Sequence, residues 1–524
     1  MSGLYFFLSQ KYLIILIISI FLNSGCSSPN DLSLSISDNP NIILILVDDM
    51  GYGDIGSYNP DSKIPTPTID GLAEEGMRFT DAHAPGAVCH PSRYGLLTGR
   101  YPFRTDTSVW PNQPVVDEDR MTIASMLQEE GYRTAMVGKW HLGFDESHTT
   151  DPLVSGDPQN GNNTRAAYRQ YDPDHPLTGG PFDRGFDSFF GIRASTDIPP
   201  YFYIRDDKIV APPTDSVDDN FSGGIWTDIQ GAFWREGGIA PDMELIDVLP
   251  RFTDESIELI ENHSSENQDQ PLFLYLAYPA PHTPWLPTEE FEGVSDAGMY
   301  GDFMAMVDAE IGRILSATDE ANMFDETLVI FTSDNGPVWF DKDKEHFGHD
   351  SQGGLRGMKG DAYEAGHRVP FIVRWPGVIE KGTESNQTIS FTDLMATFAD
   401  ILNKELPDDA GEDSFSLLPV LTGDHPENES IRPPVVSISS RGVRAIQDGR
   451  WKLIEALGSG GFTDPAVVEP EAGGPEGQLY NLAEDLEETN NLWNERPEIV
   501  EQLMQKLSEY DKNGRSRQNK PSNP

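Results

Sequence analysis

Apolar runs of strand length alternate along the chain with segments of helical periodicity. Residues 41–47 form a continuous run that is almost entirely β-branched and large apolar residues, and 132–137, 271–276 and 327–331 are shorter runs in which apolar residues predominate. This is the pattern of strands buried on both faces of a parallel sheet. Helical segments lie between them at 121–130, 253–263 and 299–315. The alternation predicts an α/β fold with a mostly parallel central sheet flanked by helices.

The pattern changes after about residue 430. Residues 443–454 predict a hairpin with an Asp-Gly turn, and a loop rich in Gly, Pro and Glu follows at 458–477. A short strand at 478–482 and a terminal helix with Pro497 in its first turn complete the chain. These features predict a smaller C-terminal subdomain of antiparallel sheet plus helix. The predicted organisation is a signal peptide at 1–25, a linker at 26–40, a main domain at 41–430 and the C-terminal subdomain at 431–524.

The N-terminus has the features of an export signal. Lys11 precedes an apolar run at 12–22 that is too short to span a bilayer, as in the core of a signal peptide. The small residues before Cys26 resemble a bacterial lipoprotein box, although Asn23 stands where that box usually has Leu. We therefore expect an exported lipoprotein in the periplasm or on the cell surface, anchored through lipid on Cys26, with outer-membrane attachment. Ordinary cleavage nearby is the alternative.

The charge balance excludes some partners. The chain has 86 acidic and 37 basic residues, which gives a formal net charge of −49 over 524 residues. Such a surface repels nucleic acid and anionic lipid headgroups, so we expect neither as a main partner. It suits a salty medium, where repulsion is screened. An anionic substrate would need a local positive pocket.

Hard oxygen donors follow two of the predicted strands. Asp48-Asp49 comes directly after the first strand, and Asp334-Asn335 follows the fourth. A single such pair is more often part of a turn. Two pairs at the carboxyl edge of a parallel sheet, where ligands bind, predict a site for a hard cation. Carboxylate and amide oxygens favour calcium, or less strongly magnesium, over zinc.

Basic residues follow the strands between them. Lys139 and His141 come after the second strand, with side chains on the same side if the backbone stays extended. His282 lies in a Pro-rich turn after the third strand, and Lys359 lies in a Gly-containing loop. Taken singly, each lysine is more often a solvated charge and each histidine a hydrogen-bonded loop residue. Together they predict the positive pocket that an anionic ester needs.

The chain has two cysteines, Cys26 and Cys89. If Cys26 carries lipid, Cys89 is an unpaired thiol in an exported protein, which is unusual. A small buried thiol at a loop-to-helix junction is the simple interpretation. A thiolate would be a poor ligand for a hard cation, whereas an aldehyde hydrate would supply oxygen. A covalent modification of Cys89 therefore fits the predicted cation site.

The segment around Cys89 resembles a family motif. Type I sulfatases, the formylglycine-dependent arylsulfatase-like members of the alkaline phosphatase superfamily, carry Cys-x-Pro-Ser-Arg-x-x-x-Leu-Thr-Gly. Residues 89–99 match it in one register. The resemblance implies that a formylglycine-generating maturation enzyme oxidises Cys89 to Cα-formylglycine. It also implies one calcium ion per chain beside modified Cys89, with the remaining ligands Asp48, Asp49, Asp334 and Asn335.

The resemblance further implies roles for five side chains. His141 acts as base on the formylglycine hydrate, and Arg93 holds the surroundings of the hydrate and the ion. Without the resemblance, Arg93 could equally be a surface or salt-bridging arginine. Lys139 and Lys359 bind sulfate oxygens. His282 binds the ester and protonates the leaving oxygen.

These features predict a calcium-dependent bacterial sulfatase for sulfated polysaccharides, with marine algal substrates of the ulvan, carrageenan or fucoidan type. We expect the insert at 193–205 and the polar loop at 151–185 to shape the sugar pocket, through aromatic and arginine side chains. Ordinary loop packing is the alternative for both. A phosphoester hydrolase of the same superfamily and a non-catalytic glycan-binding surface lipoprotein are the competing functions. The family motif Glu-Gly-Gly-x-Arg-Val-Pro is matched except at Ala365.

Overall fold

A computed structural model describes residues 39–146, 149, 169–267 and 269–518. The predicted signal peptide, Cys26 and the linker as far as residue 38 lie outside these residues, as does the part of the polar loop at 150–168. None of the helices in the described ranges combines the length and the apolar character that a membrane crossing requires.

The strands form one large sheet and several small ones. The large sheet has ten strands in the order β13-β2-β12-β11-β1-β10-β4-β5-β6-β7, and a separate sheet has the order β15-β16-β17-β18. Two further pairs are β14 with β3 and β8 with β9. The strand bounds are β1 (Asn41–Val47), β2 (Met77–Phe79), β3 (Ala82–His83), β4 (Arg133–Lys139), β5 (Ser188–Ile192), β6 (Ile204–Arg205), β7 (Lys208–Ile209), β8 (Asp215–Val217), β9 (Gly237–Ile239), β10 (Leu272–Ala277), β11 (Thr327–Ser333), β12 (Phe371–Arg374), β13 (Thr383–Ser385), β14 (Ile389–Ser390), β15 (Val435–Ile438), β16 (Arg444–Asp448), β17 (Trp451–Ile454) and β18 (Gln478–Asn481).

The four predicted apolar strands are neighbours at the centre of the large sheet. They are β1, β4, β10 and β11, and they lie in the order β11-β1-β10-β4 with every pair parallel. Six of the seven residues of β1 are fully buried, because both faces of the strand are covered. The parallel arrangement brings the carboxyl ends of all four strands to one edge. The prediction of a mostly parallel central sheet is confirmed.

Helices cover this sheet, and the three predicted between the strands are present with small shifts at their ends. The segments predicted at 121–130, 253–263 and 299–315 are the helices Ile123–Glu129, Val248–Glu266 and Gly298–Glu320. The remaining α-helices are Pro67–Glu75, Cys89–Thr98, Asp341–Phe347, Glu364–His367, Asp393–Ile401, Leu418–Leu421 and Pro497–Asn513. Short 3₁₀ turns lie at Pro102–Arg104, Thr107–Val109, Pro181–Arg184, Leu245–Asp247 and Phe324–Glu326.

The strand that carries Lys139 packs very closely against its neighbour. Gly138 has φ of +120°, and a Cβ atom at this position would lie 1.9 Å from the carbonyl oxygen of Ala277 in β10. Any side chain at 138 would therefore push β4 away from β10. Glycine at this position lets the two strands pair up to the residue before Lys139.

The C-terminal region is a four-stranded antiparallel sheet with a terminal helix, as predicted. Strands β15 to β18 pair in sequence order, and apolar residues of the helix Pro497–Asn513 join those of the sheet in one buried cluster. The predicted hairpin is β16-β17, with Asp448 paired to Trp451. The turn therefore lies one residue later than expected, at Gly449-Arg450, where Gly449 takes the positive φ of 54° that the first turn position requires.

Candidate active site

The carboxyl edge of the central sheet gathers the polar residues that follow the strands. Asp48 and Asp49 follow β1, Asp334 and Asn335 follow β11, and Lys139 ends β4. Cys89 is the first residue of the helix Cys89–Thr98, which begins after the extended residue Val88 and ends at Gly99 in the left-handed conformation. Single ligand atoms of Asp48, Asp49, Cys89 and His282 lie within 4.8 Å of one another.

Arg93 is buried in this cluster and links three strand ends. Its guanidinium donates from Nε to Oδ2 of Asp334 over 2.9 Å and from Nη2 to Oδ2 of Asp48 over 3.3 Å. It also donates from Nη1 to the carbonyl oxygen of Lys139 over 2.8 Å. All of its donating groups are buried, so the interpretation of Arg93 as a surface arginine is excluded.

The two lysines face the two aspartates after β1. The ammonium of Lys139 contacts Oδ2 of Asp48, and Nζ of Lys359 donates to Oδ2 of Asp49 over 2.7 Å. Burial alone would raise the pKa of Asp48, but Lys139, His282 and Arg93 together hold it well below its ordinary value. Neither lysine is a solvated surface charge, because both are at least 93% buried.

Cys89 lies between these charged groups. Its thiol donates to Oδ1 of Asp48 over 3.4 Å, and Nζ of Lys359 donates to its Sγ over 3.5 Å. Burial, followed by the charges of Asp334 and Asp48, raises the pKa of the thiol far above its ordinary value. An unmodified Cys89 is therefore a neutral thiol, which is a weak nucleophile and a poor ligand for a hard cation.

The two histidines differ in their contacts and in their backbone conformation. Nε2 of His282 is 3.6 Å from Oδ2 of Asp49, and its Nδ1 is 2.5 Å from the carbonyl oxygen of Thr283. His141 has φ of +58°, so the backbone after Lys139 is not extended and the condition for two side chains on the same side is not met. Asp49, with φ of +65°, is also a non-glycine residue in the left-handed region. Such strain concentrates at functional sites.

The buried side chains fit a hard cation. Oδ1 of Asn335 is buried and has no hydrogen-bond partner among the described residues, while its Nδ2 donates to Oδ1 of Asp49 over 2.7 Å. A buried acceptor without a donor is costly unless something else satisfies it. Three carboxylates at this edge are buried, those of Asp48, Asp49 and Asp334, and Oδ1 of Asp334 accepts from the amide of Asp49 over 3.3 Å. An all-oxygen donor set of this kind matches calcium.

The structure adds residues that the sequence did not single out. The ring of Trp110 stacks on His141, with ring centroids 4.4 Å apart, and on His90, with centroids 5.0 Å apart. Burial, Lys139 and Lys359 lower the pKa of His90 to about 4. Ser195 and Asp197 are also buried, and Oδ1 of Asp197 is 3.9 Å from Nδ1 of His282. Ser195 and Asp197 lie in the insert at 193–205, and His90 lies at a variable position of the motif at 89–99, whereas Trp110 lies in a segment without a sequence signal.

The aromatic side chains of the insert at 193–205 are buried and do not form the sugar-stacking surface that the sequence predicts. Tyr201, Phe202 and Tyr203 are at least 96% buried in the core, so their faces are not available to a sugar and the prediction is wrong for these three. A run of three aromatic residues suits core packing as well as sugar stacking, and the sequence alone does not distinguish the two. Arg193 is buried against Glu146, with Nη2 and Oε1 3.0 Å apart.

An open polar cavity of about 940 Å³ lies beside the loop that follows His141. Part of the predicted sugar loop, at 169–184, contributes to its wall, as does the segment after Trp110. The cavity is lined by Asn112, Gln113, Pro114, Glu118, Asp145, Glu146, Arg169, Thr178, Gly179, Asp183 and Arg184.

Comparison with known proteins agrees with this site. A sequence model of the sulfatase family matches residues 40–404. An N-acetylgalactosamine-6-O-sulfatase of Bacteroides thetaiotaomicron is 34% identical over 509 residues, covering 90% of this chain and 93% of the relative. Human arylsulfatase A is 30% identical, covering 90% of this chain and 88% of the relative.

Solved structures give the same assignment. One, from work on the metabolism of multiple glycosaminoglycans by B. thetaiotaomicron, has a TM-score of 0.73 and 32% identity, covering 90% of this chain and 99% of its own. A sulfatase from a Pseudoalteromonas species, with a TM-score of 0.67 and 22% identity, covers 90% of both chains and supports the fold. The chain belongs to the sulfatase family, whose members hydrolyse sulfuric esters.

Proposed function

We propose that this sulfatase removes sulfate from sulfated oligosaccharides or polysaccharides, using a formylglycine derived from Cys89 and one calcium ion. The observation that carries the proposal is the convergence of Cys89 with two lysines and His282 around buried carboxylates at one sheet edge. The chain has an overall charge of −49, which repels anions. A local cluster of cationic side chains is therefore informative, because an anionic ester can be held there.

A calcium ion and a formylglycine at position 89 would complete the site. Asp48, Asp49, Asp334 and Asn335 would hold the calcium ion, since they supply hard oxygens and no donor among the described residues bonds Oδ1 of Asn335. Calcium supplies a positive charge for the sulfate oxygens, and a formylglycine at position 89 supplies a hydrated aldehyde oxygen as nucleophile. Lys139 and Lys359, whose ammonium groups already contact this centre, bind sulfate oxygens.

The histidines handle protons. His282 has Nδ1 at hydrogen-bond distance from the carbonyl oxygen of Thr283, which directs Nε2 toward the centre of the cluster. We assign it the donation of a proton to the leaving sugar oxygen. His141 is buried beneath Trp110 and its Nδ1 has no partner among the described residues. Burial and Lys139 hold the pKa of His141 well below its ordinary value, which keeps the ring neutral but makes it a weaker base than a free imidazole. We assign it the role of base on the formylglycine hydrate.

Arg93 keeps the site together. Because it bonds Asp48, Asp334 and the backbone of Lys139, it fixes the ends of three strands relative to one another. The site can then bind sulfate without rearranging charged side chains, which is how preorganised electrostatics accelerates a reaction.

The first substrate to test is a 6-O-sulfated N-acetylgalactosamine, because a relative that aligns over nine-tenths of this chain is named for that activity. Algal sulfated galactans and fucans are the second class, since the acidity of the chain suits a salty medium. A phosphoester hydrolase would need a nucleophile other than modified Cys89. Export and lipidation at Cys26 belong to the same proposal, as they would place the enzyme where polysaccharides are met.

The test uses the full chain produced together with a formylglycine-generating enzyme. Sulfate released from N-acetylgalactosamine 6-sulfate, its 4-sulfate isomer, and carrageenan, ulvan and fucoidan oligosaccharides is measured by ion chromatography. Mass spectrometry of the peptide around position 89 reports the modification. We expect release from at least one sulfated sugar, little phosphate release from p-nitrophenyl phosphate, and no sulfate release by Cys89→Ala with an unchanged melting temperature. Full turnover by Cys89→Ala, or intact cysteine in fully active enzyme, would overturn the proposal.

A further inference from the structure

Lys359 lies in a loop, at residues 355–363, rather than on a strand or helix of the large sheet. A lysine on a loop needs its backbone fixed if its ammonium is to stay near Asp49 and Cys89. Two backbone hydrogen bonds hold the main chain at Lys359 and Gly360 in place. The amide of Lys359 donates to the carbonyl of Pro337 over 2.8 Å, and the amide of Gly360 donates to the carbonyl of Ala87 over 2.7 Å.

A buried carboxylate two residues later fastens the same loop to the C-terminal region. Oδ2 of Asp361 accepts from the amide of Met358 over 2.9 Å and from Oγ1 of Thr463 over 2.5 Å. Oδ1 of Asp361 accepts from the amides of Phe462 and Thr463 over 2.7 and 3.0 Å. One side chain therefore satisfies four donors, three of which belong to the loop 458–477.

Backbone contacts on both sides of Asp361 also join the loop of Lys359 to the C-terminal region. The amide of Ser440 donates to the carbonyl of Gly360 over 2.8 Å, and the amide of Ala362 donates to the carbonyl of Ser459 over 2.8 Å. The approach is so close that a Cβ at Gly461 would lie 2.1 Å from the carbonyl oxygen of Gly360. Thus the C-terminal loop is packed directly against the residue that follows Lys359.

We propose that Asp361 is a positioning residue for Lys359, and that through it the C-terminal subdomain forms part of the active site. This inference rests on the proposed function, in which Lys359 binds sulfate. A carboxylate is needed because both oxygens accept two hydrogen bonds each. In Asp361→Asn one of those oxygens becomes an amide NH₂, so the two hydrogen bonds that this oxygen accepted are lost. At most one is replaced, by donation from the NH₂ to the hydroxyl of Thr463, and the loop is held more weakly on that side.

The test compares three variants of the full chain with formylglycine installed. Asp361→Asn removes two bonds, and Thr463→Val removes only the side-chain bond to Oδ2. Asp485→Asn is the matched control, because Asp485 also accepts from two amides and a threonine hydroxyl, of Thr489 and Asn490, in an exposed turn. The KM for a sulfated sugar that the wild type hydrolyses, the kcat, and the inhibition constant for inorganic sulfate are measured for each.

We expect Asp361→Asn to raise both KM and the inhibition constant for sulfate by about tenfold, as loss of one well-placed charged contact would do. Thr463→Val should raise both by about threefold, because it removes one of the four hydrogen bonds to Asp361. Asp485→Asn should leave both unchanged, because the hydrogen bonds of Asp485 to Thr489 and Asn490 stay within one exposed turn. A merely structural role would lower kcat by reducing the folded fraction and would leave KM and the inhibition constant unchanged.

Two results separate this inference from the proposed function. Unchanged KM and sulfate inhibition in both Asp361→Asn and Thr463→Val, in a wild type that releases sulfate, would overturn the positioning role alone. A wild type that releases no sulfate from any substrate would overturn the proposed function. If Asp361→Asn does not fold, Thr463→Val decides the question, because its core and its carboxylate are intact.

Discussion

Arg93 donates a hydrogen bond from Nε to Oδ2 of Asp334 over 2.9 Å, although 241 residues separate them in the chain. Both side chains are completely buried. The pair joins the helix that begins at Cys89 to the end of β11, so the geometry of the site and the packing of the sheet depend on the same contact. Removing one partner of such a buried ion pair destabilises the protein much more than replacing both partners with apolar residues, because the remaining charge is buried without solvent.

The first prediction follows from that contact. Arg93→Met should lower the free energy of unfolding by about 3–5 kcal/mol, since Asp334 and Asp48 would be left buried without their guanidinium. Urea unfolding in calcium-free buffer measures this. Arg251→Met is the control, because Arg251 is about half exposed and its ion pair with Glu255 lies on the surface. Its effect should stay below about 1 kcal/mol. Equal effects of the two substitutions would contradict the prediction.

A second prediction concerns the close packing before Lys139. Gly138→Ala should destabilise the protein by about 3 kcal/mol or more, because the new Cβ would overlap the carbonyl oxygen of Ala277 and the residue has φ of +120°. Soluble yield and urea unfolding measure the effect. Gly71→Ala is the matched control, since Gly71 lies in the helix Pro67–Glu75 with nothing within 4 Å of its Cβ position. That substitution should stabilise by about 0.5–1 kcal/mol. A stable Gly138→Ala variant would show that the strands can separate.

Much of this site could be predicted from sequence because buried parallel strands have a strong signal. Residues 41–47 are almost entirely apolar, and the polar residues that follow such strands must lie at one edge of the sheet. Asp48, Lys139 and Asp334 were therefore predictable as neighbours. The family motif added Cys89 and Arg93. What the strand pattern does not contain is the order of the strands, which the structure supplies.

The features that sequence did not predict depend on local backbone geometry or on distant packing. His141 has positive φ, so alternation along an extended strand does not apply to it. Tyr201, Phe202 and Tyr203 look like sugar-binding residues until their burial is known. Trp110 contacts His141 from a loop without periodicity. The hydrogen bonds of Asp361 to the loop 458–477 join residues about a hundred positions apart in the chain.

The third prediction tests the cation site. Adding calcium should raise the melting temperature of the wild type, because binding to the folded state alone contributes about 2.7 kcal/mol when the ion is present at a hundred times its dissociation constant. Asp334→Asn keeps the shape of the side chain but removes one of three buried charges, so it should need a higher calcium concentration for the same shift. Thermal unfolding at increasing calcium, with magnesium as the comparison, measures both. A wild type and variant with identical calcium midpoints would exclude Asp334 as a ligand.

The fourth prediction concerns the pH dependence of stability, at a site outside the cluster. Asp308 lies in the helix Gly298–Glu320 and is 98% buried. Its carboxylate accepts from the amides of Thr68 and Ile69, over 3.0 and 2.9 Å, at the start of the helix Pro67–Glu75. Burial raises the pKa of Asp308 to about 6, and the two amide hydrogen bonds offset only part of that effect.

The sign follows from proton binding. Between pH 3.8 and 6 the folded protein keeps a proton on Asp308 that the unfolded chain releases, so this group adds stability as the pH falls from 7 toward 4 and loses that contribution as the pH rises through 6. The contribution of Asp308 to the free energy of unfolding is about 3 kcal/mol larger below both pKa values than above them. The side chain of the Asp308→Asn variant cannot titrate. The free energy of unfolding of the wild type, relative to that of the variant, should therefore increase by about 1–2 kcal/mol when the pH is lowered from 7.5 to 5, as measured by urea unfolding at both pH values. A difference between the two proteins that does not change with pH would show that the two amide hydrogen bonds outweigh burial and keep the carboxylate ionised.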